Sequence, residues 1–187
     1  MIQKIIYLAF LFFVVAFTVV AQSKKDIKKY KIKSVTVSVI DSKVEGKVRK
    51  DSYQKFDANG NVLEEQEYNK DGSLKMQEAH KYNKNDDVIE EVLYDEKGIV
   101  KTKTITEYSD KNPKTETIYN SKGEMIEKTT FTYSALGEKT QELTRNAKGK
   151  TIKKSVYTYD KNGLKAERKT YDAEGLLIST KKYTYEY

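Results

Sequence analysis

Apolar and polar positions follow three regimes along the chain. Ile5 to Val20 is an unbroken, mostly apolar run. Tyr30 to Ile40 (YKIKSVTVSVI) alternates with a period of two, which predicts a half-buried strand, and Val44 to Tyr53 follows after Asp41-Ser42-Lys43 as its hairpin partner. From Phe56 onward the chain repeats an aromatic, an Asp or Asn, two variable residues and a Gly, each followed by a run rich in Thr, Val, Ile and Tyr. The copies start at Phe56, Tyr68, Tyr82, Tyr94, Tyr108, Tyr119, Tyr133, Arg145, Tyr159 and Tyr171, with a partial copy at Tyr185. Their spacings are 12, 14, 12, 14, 11, 14, 12, 14, 12 and 14 residues. A fixed period of this kind sets the architecture before any single element is assigned.

Each copy reads as a tight turn and a strand. Asp or Asn at the first turn position bonds to main-chain NH groups further on, and Gly at the fourth supplies the positive φ that closes the turn. Strands joined by four-residue turns must be antiparallel neighbours, because parallel pairing needs a long crossover. The predicted fold class is therefore all-β, an antiparallel meander of about 12 strands in an elongated or partly rolled sheet. No helix is predicted. The even spacings imply that every repeat aromatic projects from an equivalent face. The 14-residue units place a second ring position two residues earlier, at His80, Phe131, Tyr157 and Tyr183, with Thr106 as the exception. These positions predict an aromatic ladder across the sheet. With Leu63, Leu74, Ile89, Ile99, Met125, Ile152, Leu164 and Leu176 just past the turns, the ladder is expected to supply most apolar burial. Pro113 falls in the 11-residue unit and is expected at an edge or beside a bulge.

The ends divide the chain further. Residues 1–21 read as a signal peptide cleaved after Ala21, and no stable membrane span is expected after cleavage. A retained anchor is the competing reading, since Ile5 to Ala21 is 17 residues, the lower limit for a bilayer span. Residues 22–29 are a basic leader expected to be loose, 30–55 an N-terminal hairpin cap, and 56–187 the repeat domain. The expected destination is periplasm, cell surface or secreted fraction. In residues 22–187 Leu, Ile, Val, Met and Phe number only 32 of 166, a content that signals disorder unless those residues are periodic, as they are. A net charge of +6 spread over 62 interleaved charges is a solubility pattern, not a nucleic-acid footprint.

YTYDKNGL (Tyr157 to Leu164) matches the Tyr-x-Tyr-Asp-x-x-Gly-x-Leu core of the Rhs or YD repeat, and YDAEGL (Tyr171 to Leu176) and YDEKGI (Tyr94 to Ile99) are near matches. Tyr53 to Tyr187 thus resembles that family, with weaker resemblance to MORN-like and antitoxin-type repeats. The resemblance implies a continuous antiparallel strip, which in large toxins winds into a shell around a cargo, and a tendency toward carbohydrate binding and cell-surface contact. Ten units are too few to enclose a cargo.

Candidate chemistry is sparse. The chain has no cysteine and one histidine, so neither a zinc site of Cys and His ligands nor a Cys-His or Ser-His nucleophile is expected. His80 occupies the slot of Phe131, Tyr157 and Tyr183 in sister repeats and is read as structural. Adjacent acids such as Glu64-Glu65, Asp86-Asp87 and Glu90-Glu91 point to opposite strand faces and form no ready carboxylate pair. The Asp57, Asn69 and Asp160 turns resemble the front of a calcium loop, but lysine recurs within such turns and repels a cation. No catalytic, cofactor or metal residue is assigned. The expected function is an exported, non-catalytic binding module for a carbohydrate or protein partner. Its candidate contact residues are Tyr82, Tyr108, Phe131, Tyr133, Tyr157, Tyr159, Tyr183 and Tyr185. Assembly through open sheet edges, or an immunity role against a toxin of the same repeat type, are the alternatives.

Overall fold

The computed structural model describes residues 24–40 and 48–184. The expected signal peptide and its cleavage after Ala21, the Asp41–Lys43 turn and the copy at Tyr185 lie outside the described residues. A short helix, α1 (Lys24–Tyr30), precedes twelve strands. These are β1 (Ser34–Ile40), β2 (Val48–Phe56), β3 (Val62–Tyr68), β4 (Leu74–Tyr82), β5 (Val88–Tyr94) and β6 (Val100–Ser109), then β7 (Asn112–Asn120), β8 (Met125–Tyr133), β9 (Lys139–Asn146), β10 (Thr151–Tyr159), β11 (Lys165–Tyr171) and β12 (Leu177–Lys182). All twelve form one antiparallel sheet in strict chain order, and the sheet does not close. The all-β meander is as the repeat predicts.

The turns show why the repeat has its consensus. In the first copy the NH of Gly60 donates to the Asp57 carbonyl at 3.1 Å and the NH of Asp57 donates to the Asn61 carbonyl at 3.0 Å. The Asp57 side-chain oxygen meanwhile accepts the NH groups of Asn59 and Asn61, each at 2.8 Å. Asp95, Asn120, Asn146, Asp160 and Asp172 accept the same pair of NH groups two and four residues on. An oxygen engaged by two NH donors is turned toward the backbone, which accounts for these turns without a cation. Gly163, at φ +76°, stands where an L side chain is strained. The copy ending in Asp86 accommodates φ +65° without glycine, an option open mainly to Asn and Asp.

Two expectations are corrected. The first concerns facing. Every turn of the repeat domain carries a register shift, for example between Glu67 and Tyr68 and between Lys81 and Tyr82. One extra residue per turn reverses the parity that even spacing preserves. Tyr82, Tyr108, Tyr133 and Tyr159 therefore share a face with His80, whereas Tyr68, Tyr94, Tyr119 and Tyr171 project from the other. The second concerns the leader, where residues 24–30 form α1. Lys24 Nζ bonds Asn61 Oδ1 at 2.6 Å and Asp86 Oδ2 at 3.2 Å, which ties the helix to two turns at the same end of the sheet. Pro113 lies in β7, an interior strand, beside a register shift at Tyr108, so of the two expected settings it takes the bulge.

Burial follows from a single layer. Among the described residues the buried apolar side chains are Ile27, Phe56 and Tyr157. Of the positions past the turns, Ile99 is 58 % and Leu176 65 % exposed, and Leu74, Met125, Ile152 and Leu164 are half-buried, so none of these joins the fully buried set. Much of the interior is instead polar: Ser155 and Thr144 are the most buried side chains, each at 1 % exposure. Their hydroxyls pair with those of Thr170 and Thr129 across the strands, so neither is buried unsatisfied.

The two rows of turns differ. At one end neighbouring turns touch: Asn61 donates to Asp86, and a Cβ on Gly163 would meet the Glu138 carboxylate at 3.4 Å. At the other, Gly72, Gly98, Gly123, Gly149 and Gly175 have open space where a Cβ would stand.

Candidate functional site

The predicted contact aromatics gather on the His80 face, but not as stacked rings. Among the described residues the ring contact is His80 with Tyr82, at 6.4 Å between centroids and 64° between planes. Lysines occupy the spaces where stacking was expected. Lys139 Nζ sits 5.0 Å from the Phe131 centroid and 5.3 Å from that of Tyr157. Lys165 Nζ sits 5.0 Å from Tyr157 and 5.5 Å from Tyr183. Rings two strands apart are about 10 Å apart, too far for direct contact, and the long stem of a lysine on the strand between fills that gap. Each such contact contributes roughly 0.5–1 kcal/mol at a partly exposed site.

The tyrosine hydroxyls are also engaged. Tyr82 donates to the Val62 carbonyl at 2.7 Å, Tyr108 to Val88 at 3.0 Å, Tyr133 to Pro113 at 2.9 Å and Tyr159 to Lys139 at 2.9 Å. Each bond joins the last ring of one strand to the first or second residue of its neighbour, at the end where the turns touch. Burial first, then the charges of Asp57 and Asp86, pushes the Tyr82 phenol up to about 12. Tyr157 is raised by burial and by its bond to the Glu142 carboxylate. Burial raises Glu142 in turn, but Lys139, Tyr157 and Arg168 more than offset it and hold the carboxyl below its ordinary value. Seven of the eight candidate aromatics are therefore on one face with their polar atoms or rings partnered within the sheet. Tyr185 lies outside the described residues.

This face is electrostatically divided. Glu65, Glu67, Glu78, Glu91, Glu116 and Glu127 occupy it from β3 to β8, and Lys139, Lys153, Lys165, Arg168 and Lys181 from β9 to β12, where Glu142 is enclosed between Lys139 and Arg168. Burial first, then neighbouring carboxylates, raises both Glu65 and Glu116. At the acidic end His80 lies between Glu78 and Glu91, and the nearness of those two carboxylates raises its imidazole to about 9. The grouping was hidden from the sequence because Glu91 joins it through strand pairing, not through spacing.

The opposite face holds features that the parity argument missed. Two shallow grooves of about 340 and 410 Å³ lie beside Tyr171 and Tyr119. Thr151, Lys154 and Val156 line the first as Val100, Lys103 and Ile105 line the second. They are one repeated feature: a tyrosine and its turn on one side, the strand paired before it on the other. Counting one bulge per turn would have placed both tyrosines on this face.

The last strand is the most exposed element. All of β12 is exposed, with Leu177 at 53 % and Ile178 at 60 %. Among the described residues it pairs with β11 alone, leaving its outer backbone edge open.

No family model matches the chain, and no curated protein matches it. Solved structures similar to it include the pore form of the Photorhabdus luminescens Tc holotoxin, at 14% identity and a TM-score of 0.40, with 79% of this chain and 9% of that one covered. A porin-like protein from Bacteroides uniformis is 14% identical with a TM-score of 0.42, over 81% of this chain and 55% of that one. A protein of unknown function from Bacteroides fragilis is 10% identical with a TM-score of 0.35, over 83% and 95% respectively. The chain thus spans less than two thirds of the first two, and likenesses this distant carry no functional argument.

Proposed function

We propose that this chain is an exported, non-catalytic interaction module of the Rhs or YD-repeat type that binds a protein partner through the open edge of β12. The observation that carries the proposal is the exposure of that strand along its whole length, with Leu177 and Ile178 outward and no proline to block pairing. An open edge presents main-chain donors and acceptors that an incoming strand can satisfy, while flanking side chains set the choice of partner. The partnered state of the face aromatics supports an edge over a ring platform, since Tyr82, Tyr108, Tyr133 and Tyr159 already spend their hydroxyls on the fold.

A second reading, carbohydrate binding, is favoured by the paired grooves at Tyr119 and Tyr171, where a ring, a lysine and turn polar groups converge. One comparison separates the two. A photo-crosslinker at Ile178 is expected to trap a protein in the native envelope, and one at Lys153 is not. Saturable glycan binding lost in Tyr119→Ala and Tyr171→Ala, with nothing trapped at Ile178, would replace the first reading by the second.

A further inference from the structure

The pairing of β4 with β5 brings three side chains with metal-binding atoms to one point of the His80 face. His80 stands directly opposite Glu91, and Glu78 lies two residues before it on the same side of β4. His80 Nε2 is 3.6 Å from Glu78 Oε2 and 3.6 Å from Glu91 Oε2. The three ligand atoms lie within 4.8 Å of one another. A separation of 3.6 Å is long for a hydrogen bond. It is close to the spacing of ligands around a tetrahedral ion, about 3.4 Å for bonds of about 2.0–2.2 Å.

The outer ring nitrogen is arranged to match. His80 Nδ1 is 3.3 Å from the Val62 carbonyl oxygen, which also accepts the Tyr82 hydroxyl. With Nδ1 as the donor, the tautomer is fixed and the Nε2 lone pair faces the two carboxylates. A backbone carbonyl behind the far nitrogen is the usual support of a metal-binding imidazole. The Tyr82 ring, edge-on to the imidazole, restricts its rotation further.

The surroundings add negative potential without adding ligands. Glu65 lies directly across from Glu78, a like-charge pair that disfavours the bare sheet. A divalent ion at His80 relieves this repulsion more fully than a single proton does.

We propose that Glu78, His80 and Glu91 form a three-ligand site for a divalent transition-metal ion of the zinc class, its remaining positions open to water or to a donor from a partner. One imidazole with two carboxylates suits zinc, whereas calcium and magnesium prefer shells made of oxygen alone. A metal ion takes Nε2 in its unprotonated form, so binding displaces whatever proton that atom carries. It also clamps β4 to β5 within the acidic half of the sheet.

The chain has one histidine, so its imidazole NMR signals report this site without overlap. Zinc chloride titrated into untagged full-length protein at neutral pH is expected to give saturable binding of one ion. The heat should depend on buffer ionisation, and the His80 signals should shift together with it. Glu91→Gln should weaken affinity about 10- to 100-fold. His80→Phe should keep the fold, since Phe131 fills the same slot in a sister repeat, and should lose binding. Zinc binding of equal strength in His80→Phe would overturn the assignment, because the acids alone would then hold the ion. Unmoved imidazole signals at about millimolar zinc would overturn it as well, leaving His80 as an imidazolium between two carboxylates.

Discussion

The hydroxyl of Tyr159 donates to the main-chain carbonyl of Lys139 at 2.9 Å, twenty residues earlier in the chain. The same separation joins Tyr82 to Val62, Tyr108 to Val88 and Tyr133 to Pro113. It holds at Pro113 because the residue missing from that unit lies in the tight turn between Ser109 and Asn112, outside the β7–β8 hairpin that the bond closes. Replacing the phenol by a phenyl removes one neutral hydrogen bond and keeps the ring. Tyr133→Phe and Tyr159→Phe are each expected to cost about 1 kcal/mol in urea unfolding, and the double variant close to the sum. No loss in either would show that the bond is incidental.

Gly163 is held at φ +76°, and a Cβ there would meet the Glu138 carboxylate at 3.4 Å. Valine adds a branched side chain to a conformation it resists and to a turn that already touches its neighbour. Gly163→Val is expected to lower stability by about 2 kcal/mol or more, read as a drop in Tm. Gly175 has similar φ but open space around it, so Gly175→Ala should cost less. An unchanged Tm for Gly163→Val would refute the turn geometry.

The raised imidazole of His80 makes stability depend on pH with a definite sign. Glu78 and Glu91 hold the ring protonated to about 9, against an ordinary value near 6.5. The favourable contribution is complete below about pH 6.5 and is lost as pH rises through about 9. In metal-free protein, chemical unfolding between pH 6 and pH 10 should show this decline, and His80→Phe should remove it. Identical slopes in the two proteins would place the titration elsewhere.

Natural sheets blunt their edges with charge. Leu177→Lys with Ile178→Lys should abolish whatever self-association or partner capture the protein shows. Its Tm should move little, because both side chains are already more than half exposed. Light scattering and crosslinking on the pair of proteins decide it, and capture that survives both lysines would move the contact away from β12.

The sequence was most informative where chemistry is local. An Asp or Asn followed three residues later by Gly encodes a turn whose hydrogen bonds close within five residues, so the repeats located every strand from β3 onward. It was least informative where a feature needs two strands. The bulge after each turn leaves no mark in composition, yet it sends Tyr68 and Tyr82 to opposite faces. Lys139 is one of many lysines until pairing sets it between Phe131 and Tyr157. Glu91 looked like half of a doublet with Glu90, and the two in fact part company: Glu90 bonds Lys81 and Lys103 on one face while Glu91 meets His80 on the other. Helix α1 escaped notice because a seven-residue segment is marginal by propensity alone and depends on its contacts with the Asn61 and Asp86 turns.

Strand order that follows chain order has a mechanical consequence. Among the described residues each strand pairs through its backbone only with the ones before and after it, so tension applied at the C-terminal end of β12 loads the β11–β12 bonds one at a time, like a zipper, instead of shearing many together. Extension should then proceed at low force in small steps, one strand after another, with the tyrosine tethers acting as periodic catches. A sheet built this way yields gradually under load and can re-form from whatever part of the strip is still folded.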